Sequence, residues 1–231
     1  MGKKILCIGG NRGIGYASIK ALLEEGHEVI SAARTSGPLA DLGIQVQPFD
    51  AENNRPLELP PVLDGMVYFP GSITLKPFHR ISEEDFLHDF RVNCLGAAMA
   101  LQAALPALKA APRASVILFS TVACAQGMAM HASISAAKGA LEGMALALSA
   151  ELAPKIQIHV IAPSLTDTPL AQMLLNTDAK REAAAKRHPL QQIGKPEDIA
   201  KLVLFLLGDH AQFFTGQIFR PDGGLSSVRT F

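Results

Sequence analysis

The sequence predicts an α/β fold, with one doubly wound parallel sheet covered by helices on both faces in a single domain. Three observations carry this expectation. Apolar runs of four to six residues alternate with longer stretches of helical periodicity, the pattern of strands buried on both faces. A glycine-rich turn, Gly9-Gly10-Asn11-Arg12-Gly13-Ile14-Gly15, joins the first apolar run to the first helical stretch, at the head of a βαβ unit. The chain of 231 residues is 48% hydrophobic and 18% charged, enough for one core, with no repeat or composition break to mark a second domain.

Residues 5–8 are the first strand. Residues 14–25 follow as a helix, with Ile14, Ala17, Ile19, Leu22 and Leu23 on one side and Gly26 at its end. Strands are expected at 28–33, 44–49 and 66–69. A long helix spans 82–109, opened by a capping box of Ser82 and Asp85; Pro106 should end or kink it. A fifth strand covers 115–119. An alanine-rich helix runs from His131 or Ser133 to Leu152, with Ser133 a candidate N-cap. A sixth strand occupies 156–161, a helix opened by Pro196 runs to Leu207, and a last strand covers 217–219. Residues 170–193 read as an insertion between a strand and that helix. In this architecture it lies over the carboxyl ends of the strands, where ligands bind. Its charged stretch 178–187 reads as a solvated helix face.

Composition excludes several classes. The formal net charge is zero, so nothing points to nucleic acid or an anionic membrane. No run reaches transmembrane length without a charge or a breaker, and the apolar run after Lys3 and Lys4 is too short for a secretory signal. The three cysteines, Cys7, Cys94 and Cys124, have no CxxC spacing. No disulfide framework or metal site is expected, and a reducing cytoplasm fits.

The glycine loop carries the first chemistry. Glycines between a strand and a helix let the backbone approach a pyrophosphate at the helix N-terminus. The spacing is GxxxGxG, and with it the chain resembles the short-chain dehydrogenase/reductase family, a Rossmann-like fold. The resemblance runs through the chain. Asp50 looks like the family's adenine-contacting acid. Arg91-Val92-Asn93-Cys94-Leu95-Gly96 resembles its active-site asparagine segment, and Ser135-Ala136-Ala137-Lys138 the tail of its Tyr-x-x-x-Lys motif. Ile161-Ala162-Pro163-Ser164 with Thr168 resembles its Pro-Gly-x-x-x-Thr segment, with Ser164 in place of glycine. Gly194 to Ala200, Thr215-Gly216-Gln217 and Asp222-Gly223-Gly224 match its C-terminal signatures. The resemblance implies a cofactor site built from Gly9, Asn11, Arg12, Gly13, Ile14, Gly15, Arg34, Thr35, Asp50, Pro70, Gly71, Asn93, Lys138, Ile161, Pro163, Thr166 and Thr168. An NAD enzyme carries an acid at the end of the second strand to accept from the ribose 2′-hydroxyl. Here that strand ends Ala33-Arg34-Thr35. Arg34 and Arg12 offer two guanidiniums to a 2′-phosphate, so NADP(H) is the expected cofactor.

The family's pattern breaks at its centre. Its reductases use a tyrosine four residues before the lysine, and a serine thirteen before the tyrosine. These positions hold Ile134 and Thr121, and the tyrosines of this chain are Tyr16 and Tyr68. Ile134 has no proton to give. The candidate catalytic residues are therefore Asn93, Thr121, Lys138 and His131, the last three before Ile134 and able to donate a proton near neutrality. Its ordinary alternative is a helix-start residue. Tyr68, in Tyr68-Phe69-Pro70-Gly71 where the family has Asn-Asn-Ala-Gly, reads as strand packing rather than a displaced phenol. Met128 and Met130 are expected to line an apolar pocket. Two functions stay open: an NADPH-dependent oxidoreductase acting on a small molecule, with a C=C or C=N bond suiting the missing acid, or a degenerate NADP(H)-binding sensor or scaffold. A homodimer or homotetramer is expected, because Leu95, Ala98, Leu101, Leu105, Leu141, Met144, Ala145 and Leu148 exceed the apolar surface one sheet face should need.

Overall fold

The computed structural model describes residues 2–53 and 56–230. Seven strands form one parallel sheet in the order β3-β2-β1-β4-β5-β6-β7: β1 Lys4–Ile8, β2 Glu28–Ala33, β3 Val46–Pro48, β4 Gly65–Tyr68, β5 Ala114–Phe119, β6 Ile156–Ile161 and β7 Gln217–Phe219. The order reverses at β1, which pairs with β2 on one side and β4 on the other. That reversal opens a crevice at the carboxyl ends of the strands.

Alternation along the strands sorts the core into two layers. Leu6 and Ile8 face one layer with Met66, Tyr68, Val116 and Leu118. Ile5 and Cys7 face the other with Val67, Ile117 and Phe119. The first layer is closed by α3, Gly96–Ala110, and α4, Ala132–Leu152. The second is closed by α1, Gly13–Glu24, and α7, Pro196–Leu207. Cys7 is fully enclosed, and its thiol is pushed far above the usual range by desolvation.

The predicted long helix is present with an interruption. α2, Glu83–Phe90, begins at the expected capping box, Ser82 and Asp85 each bonding the other's backbone N–H. Residues Arg91–Leu95 widen into a single π-turn before α3 continues. Pro106 sits inside α3 and does not end it. It lies on the exposed face, where water can take the carbonyl its missing N–H leaves behind. Over the 28 residues Glu83–Ala110 the helix is long and apolar enough to cross a membrane, but half of its apolar window is buried inside the fold.

Two boundaries moved for identifiable reasons. The third strand is three residues rather than six, because Ile44 N–H closes the preceding turn Gly37–Leu42 by donating to Leu39 at 3.2 Å. The alanine-rich helix starts at Ala132, not at Ser133, and His131 is its boundary residue with no side-chain cap bond. The segment after β6 folds as a turn at Pro169–Ala171 and two helices, α5 Gln172–Leu175 and α6 Asp178–Lys186. The charged face of α6 is exposed, with Ala184 inward. A bridge between Thr166 and Gly194 closes the base of this excursion.

Candidate active site

The loop after β1 is shaped by backbone contacts that a Cβ would block. Gly9 has φ 75°, and a Cβ there would stand 2.6 Å from Pro70 Cγ. Gly13 opens α1 at φ 50°, and its Cβ would stand 3.0 Å from Thr168. Gly15 has Gly10 Cα at 2.7 Å from its would-be Cβ. The turns after β1, β4 and β6 therefore meet with Gly9, Gly13, Gly15, Pro70 and Thr168 at the contacts. Asn11 ties this loop to the end of β2: its amide donates to the Thr35 carbonyl at 2.8 Å and hydroxyl at 2.9 Å. Arg12 and Arg34, chain neighbours of Asn11 and Thr35, are exposed, and among the described residues neither side chain has a hydrogen bond or ion pair. Asp50 lies beyond β3, accepting from Glu52 N–H at 3.1 Å and from Asn53 at 3.2 Å. Ile14 is half-buried in the first turn of α1, and Ile161 ends β6. Thr166 is turned inward, its hydroxyl on the Ser164 carbonyl at 3.1 Å.

A second cluster lies across the crevice, at the ends of β4 and β5. Lys138 comes from the second turn of α4 and is almost fully buried. Its Nζ donates to the Phe119 carbonyl at 2.6 Å. Desolvation pushes its ammonium down to about 8, against the opposing pull of Cys124, Cys94 and Asp89. A Cβ on Gly71 would stand 3.3 Å from Asn93 Oδ1 and 3.9 Å from Lys138 Nζ, so Gly71, Asn93 and Lys138 converge. Asn93 sits in the π-turn. Its amide donates to the Asp89 carbonyl at 2.8 Å and to Ser72 Oγ at 2.9 Å, and its Oδ1 accepts from Ser72 N–H at 3.3 Å. Thr121 follows β5 as the boundary of a short turn, its hydroxyl accepting from Ala123 N–H at 3.3 Å. Ile134 is in the first turn of α4, 3% exposed.

The structure adds a group that motif reading missed. Asp89 is fully buried. Its carboxylate accepts from Ser72 at 2.7 Å, Thr74 at 3.3 Å and Ser133. These hydroxyls tie α2, the loop after β4 and the start of α4 into one unit around Asn93. The available signal was spacing: Asp89 and Asn93 are four apart and share a helix face. Ser133 serves this network instead of capping the helix. His131 stands outside α4, and its Nδ1 lies 2.7 Å from the Ala129 carbonyl. Tyr68 packs in β4 with its hydroxyl on the Val92 carbonyl at 2.8 Å, and burial pushes its phenol up. Met130 is 47% exposed with φ 68°, whereas Met128 is half-buried.

A sequence model described as enoyl-(acyl carrier protein) reductase matches residues 58–226. The chain belongs to the short-chain dehydrogenase/reductase family. It is 29% identical over 246 residues to 2-(S)-hydroxypropyl-CoM dehydrogenase 3 of Xanthobacter autotrophicus, covering 97% of this chain and 96% of that one. It is 32% identical over 171 residues to the inactive 2-(S)-hydroxypropyl-CoM dehydrogenase 2 of the same organism, covering 72% and 74%. The structure of ElxO with NADP bound has the same fold, with a TM-score of 0.87 at 22% identity, covering 99% of this chain and all of the other. Membership makes this an oxidoreductase-type chain. Within the family pattern, the position four before Lys138 is Ile134 and the residue after Pro163 is Ser164.

Proposed function

We propose that the chain is an NADP(H)-dependent oxidoreductase that reduces a small molecule at a bond other than a simple ketone. The carrying observation for the cofactor is the pair Arg12 and Arg34, exposed and without side-chain partners among the described residues, beside a β2 that ends without an acid. Two guanidiniums suit the dianionic 2′-phosphate and leave a bare 2′-hydroxyl without its acceptor. The ElxO structure, which holds NADP, supports the same choice. The residues present fit such a cofactor: Gly9, Gly13 and Gly15 let the turns pack closely around the N-terminus of α1, whose unpaired N–H groups suit a pyrophosphate, and Asn11 holds the loop against Thr35. Pro70 stands against Gly9, and Thr168 against Gly13. Lys138 and Asn93 stand near Gly71 on the nicotinamide side.

When bound, the cofactor supplies a hydride. The chain's own residues decide what can accept it. Thr121 offers one hydroxyl to a substrate heteroatom. Lys138, held on the Phe119 carbonyl, places a positive charge in a water-poor site, where such a charge acts strongly. Ile134 contributes shape and water exclusion but no proton. A C=C or C=N acceptor, which need not pass through a naked alkoxide, suits this arrangement.

A second reading, a cofactor-binding sensor or scaffold, is favoured by Ile134 itself and by the inactive relative. Fluorescence titration tests the cofactor assignment. NADPH should bind far more tightly than NADH, and Arg34→Ala should weaken NADPH by roughly tenfold or more, the scale of one charge-assisted hydrogen bond, while leaving NADH unchanged. Equal affinities would overturn it. NADPH oxidation measured against a panel of C=C, C=N and C=O substrates separates the two functions.

A further inference from the structure

Ser164 brings a hydroxyl to a position where the family pattern has glycine, and that hydroxyl is used. Its Oγ lies 3.0 Å from Nε2 of His188, whose Nδ1 lies 2.9 Å from the Ala184 carbonyl. The carbonyl can only accept, so Nδ1 donates to it, which leaves Nε2 to pair with the Ser164 hydroxyl. Both side chains are buried, Ser164 at 9% and His188 at 2% exposure. His188 follows α6, within the excursion 170–193. Among the described residues, this is the one buried side-chain hydrogen bond that leaves that excursion. Its other side-chain tie, Arg181 to Asp167 at 2.7 Å, is more than a third exposed on both partners, and exposed pairs hold little.

The neighbours of the pair place it between the excursion and the site. The Pro163 carbonyl accepts from Val122 N–H at 3.2 Å, so Ser164 begins one residue from the turn that follows Thr121. On the other side the C-terminal loop packs over it. Leu190 N–H donates to the Gly223 carbonyl at 3.1 Å, and a Cβ on Gly223 would stand 3.4 Å from His188 Cβ. By contrast, α5 and α6 turn Met173, Lys180 and most of their length to solvent.

We propose that the Ser164–His188 hydrogen bond is a latch holding residues 170–193 closed over the carboxyl ends of β5 and β6, which makes both residues positioning residues for the substrate. The word substrate rests on the oxidoreductase reading; the latch itself does not. Breaking the bond leaves a buried ring nitrogen without a partner, a cost well above that of a surface contact. Segments held by few such contacts open locally.

The test is hydrogen–deuterium exchange on the full chain, comparing wild type, Ser164→Ala and Ser164→Thr. In Ser164→Ala, amides of residues 172–188 should exchange about tenfold faster, with β1 and β4 unchanged. Ser164→Thr, which keeps the hydroxyl, should exchange like wild type. Unchanged exchange in Ser164→Ala, an acceleration that Ser164→Thr shares, or one that extends equally to β1 and β4 would each overturn the latch. An NADPH titration of the wild type runs alongside. Failure to bind removes the oxidoreductase reading and leaves the exchange result to decide the latch alone.

Discussion

Hydride delivery to a ketone leaves an alkoxide, which needs a donor aimed at it in a dry pocket. Four positions before Lys138, Ile134 presents a buried hydrocarbon. Thr121 can hydrogen-bond but is a poor proton source, His131 is turned to the Ala129 carbonyl, and Lys138 is held on Phe119. Ile134→Tyr should therefore raise reduction of generic ketones, by roughly 10²-fold or more if a general acid is what is missing. Initial rates of NADPH oxidation read this directly. A wild type that reduces simple ketones at ordinary rates, unaffected by His131→Ala, would show that the proton comes from elsewhere. At this scale the turn after β1 and the position of Lys138 on α4 were legible in the sequence, because each belongs to a short motif. Asp89, Ser72, Thr74 and Ser133 were not. They are scattered over three segments, and only folding brings their hydroxyls onto one carboxylate.

Among the elements, β6 carries a group whose cost depends on pH. His159 is fully buried with its ring 6.2 Å from that of Phe219, and among the described residues neither ring nitrogen has a hydrogen-bond partner. Desolvation pushes its imidazolium down to about 4 from 6.5. Between those values the unfolded chain binds a proton that the folded chain refuses, so stability is lost as pH falls from 6.5 towards 4. His159→Phe should remove that dependence. Denaturant melts at pH 5 and pH 7.5 should show a smaller gap for the variant than for wild type, and an equal gap would show that His159 is not the group responsible. The helical elements show the limits of local reading. The capping box at Ser82 announced α2, because both partners lie within one turn. The π-turn did not announce itself, since Arg91 to Leu95 reads as ordinary helix. It is the junction at which Asn93 meets Ser72 and the Asp89 carbonyl.

For the whole molecule, the apolar helices α3 and α4 bear on assembly. Leu101, Leu141 and Ala145 are buried in the chain's own core, which corrects the expectation that they exceed what one sheet face needs. Leu95 and Leu146 remain 44% and 64% exposed, beside the exposed small residues Gly139, Gly143 and Ala147 of α4. That outward face suits pairing of the two helices with a second copy, and closed symmetry is the common outcome. Light scattering should give a dimer or tetramer at micromolar concentration, and Leu146→Glu should shift it towards monomer. A monomeric wild type would refute this.

The sequence by itself determined the fold class and the bounds of its most regular elements. Strand periodicity, turn glycines and helix caps are set within a few residues, so β2, β6, β7 and α7 lie where the pattern put them. The absence of an acid after β2 and of a tyrosine four before Lys138 was equally plain, because both are single positions in a fixed motif. Tertiary structure alone decided which polar groups meet. Ser133 with Asp89 spans 44 positions, and Ser164 with His188 spans 24. No local spacing rule reaches that far: such partners are chosen by which buried hydroxyl faces which buried acceptor once the sheet and its helices have closed.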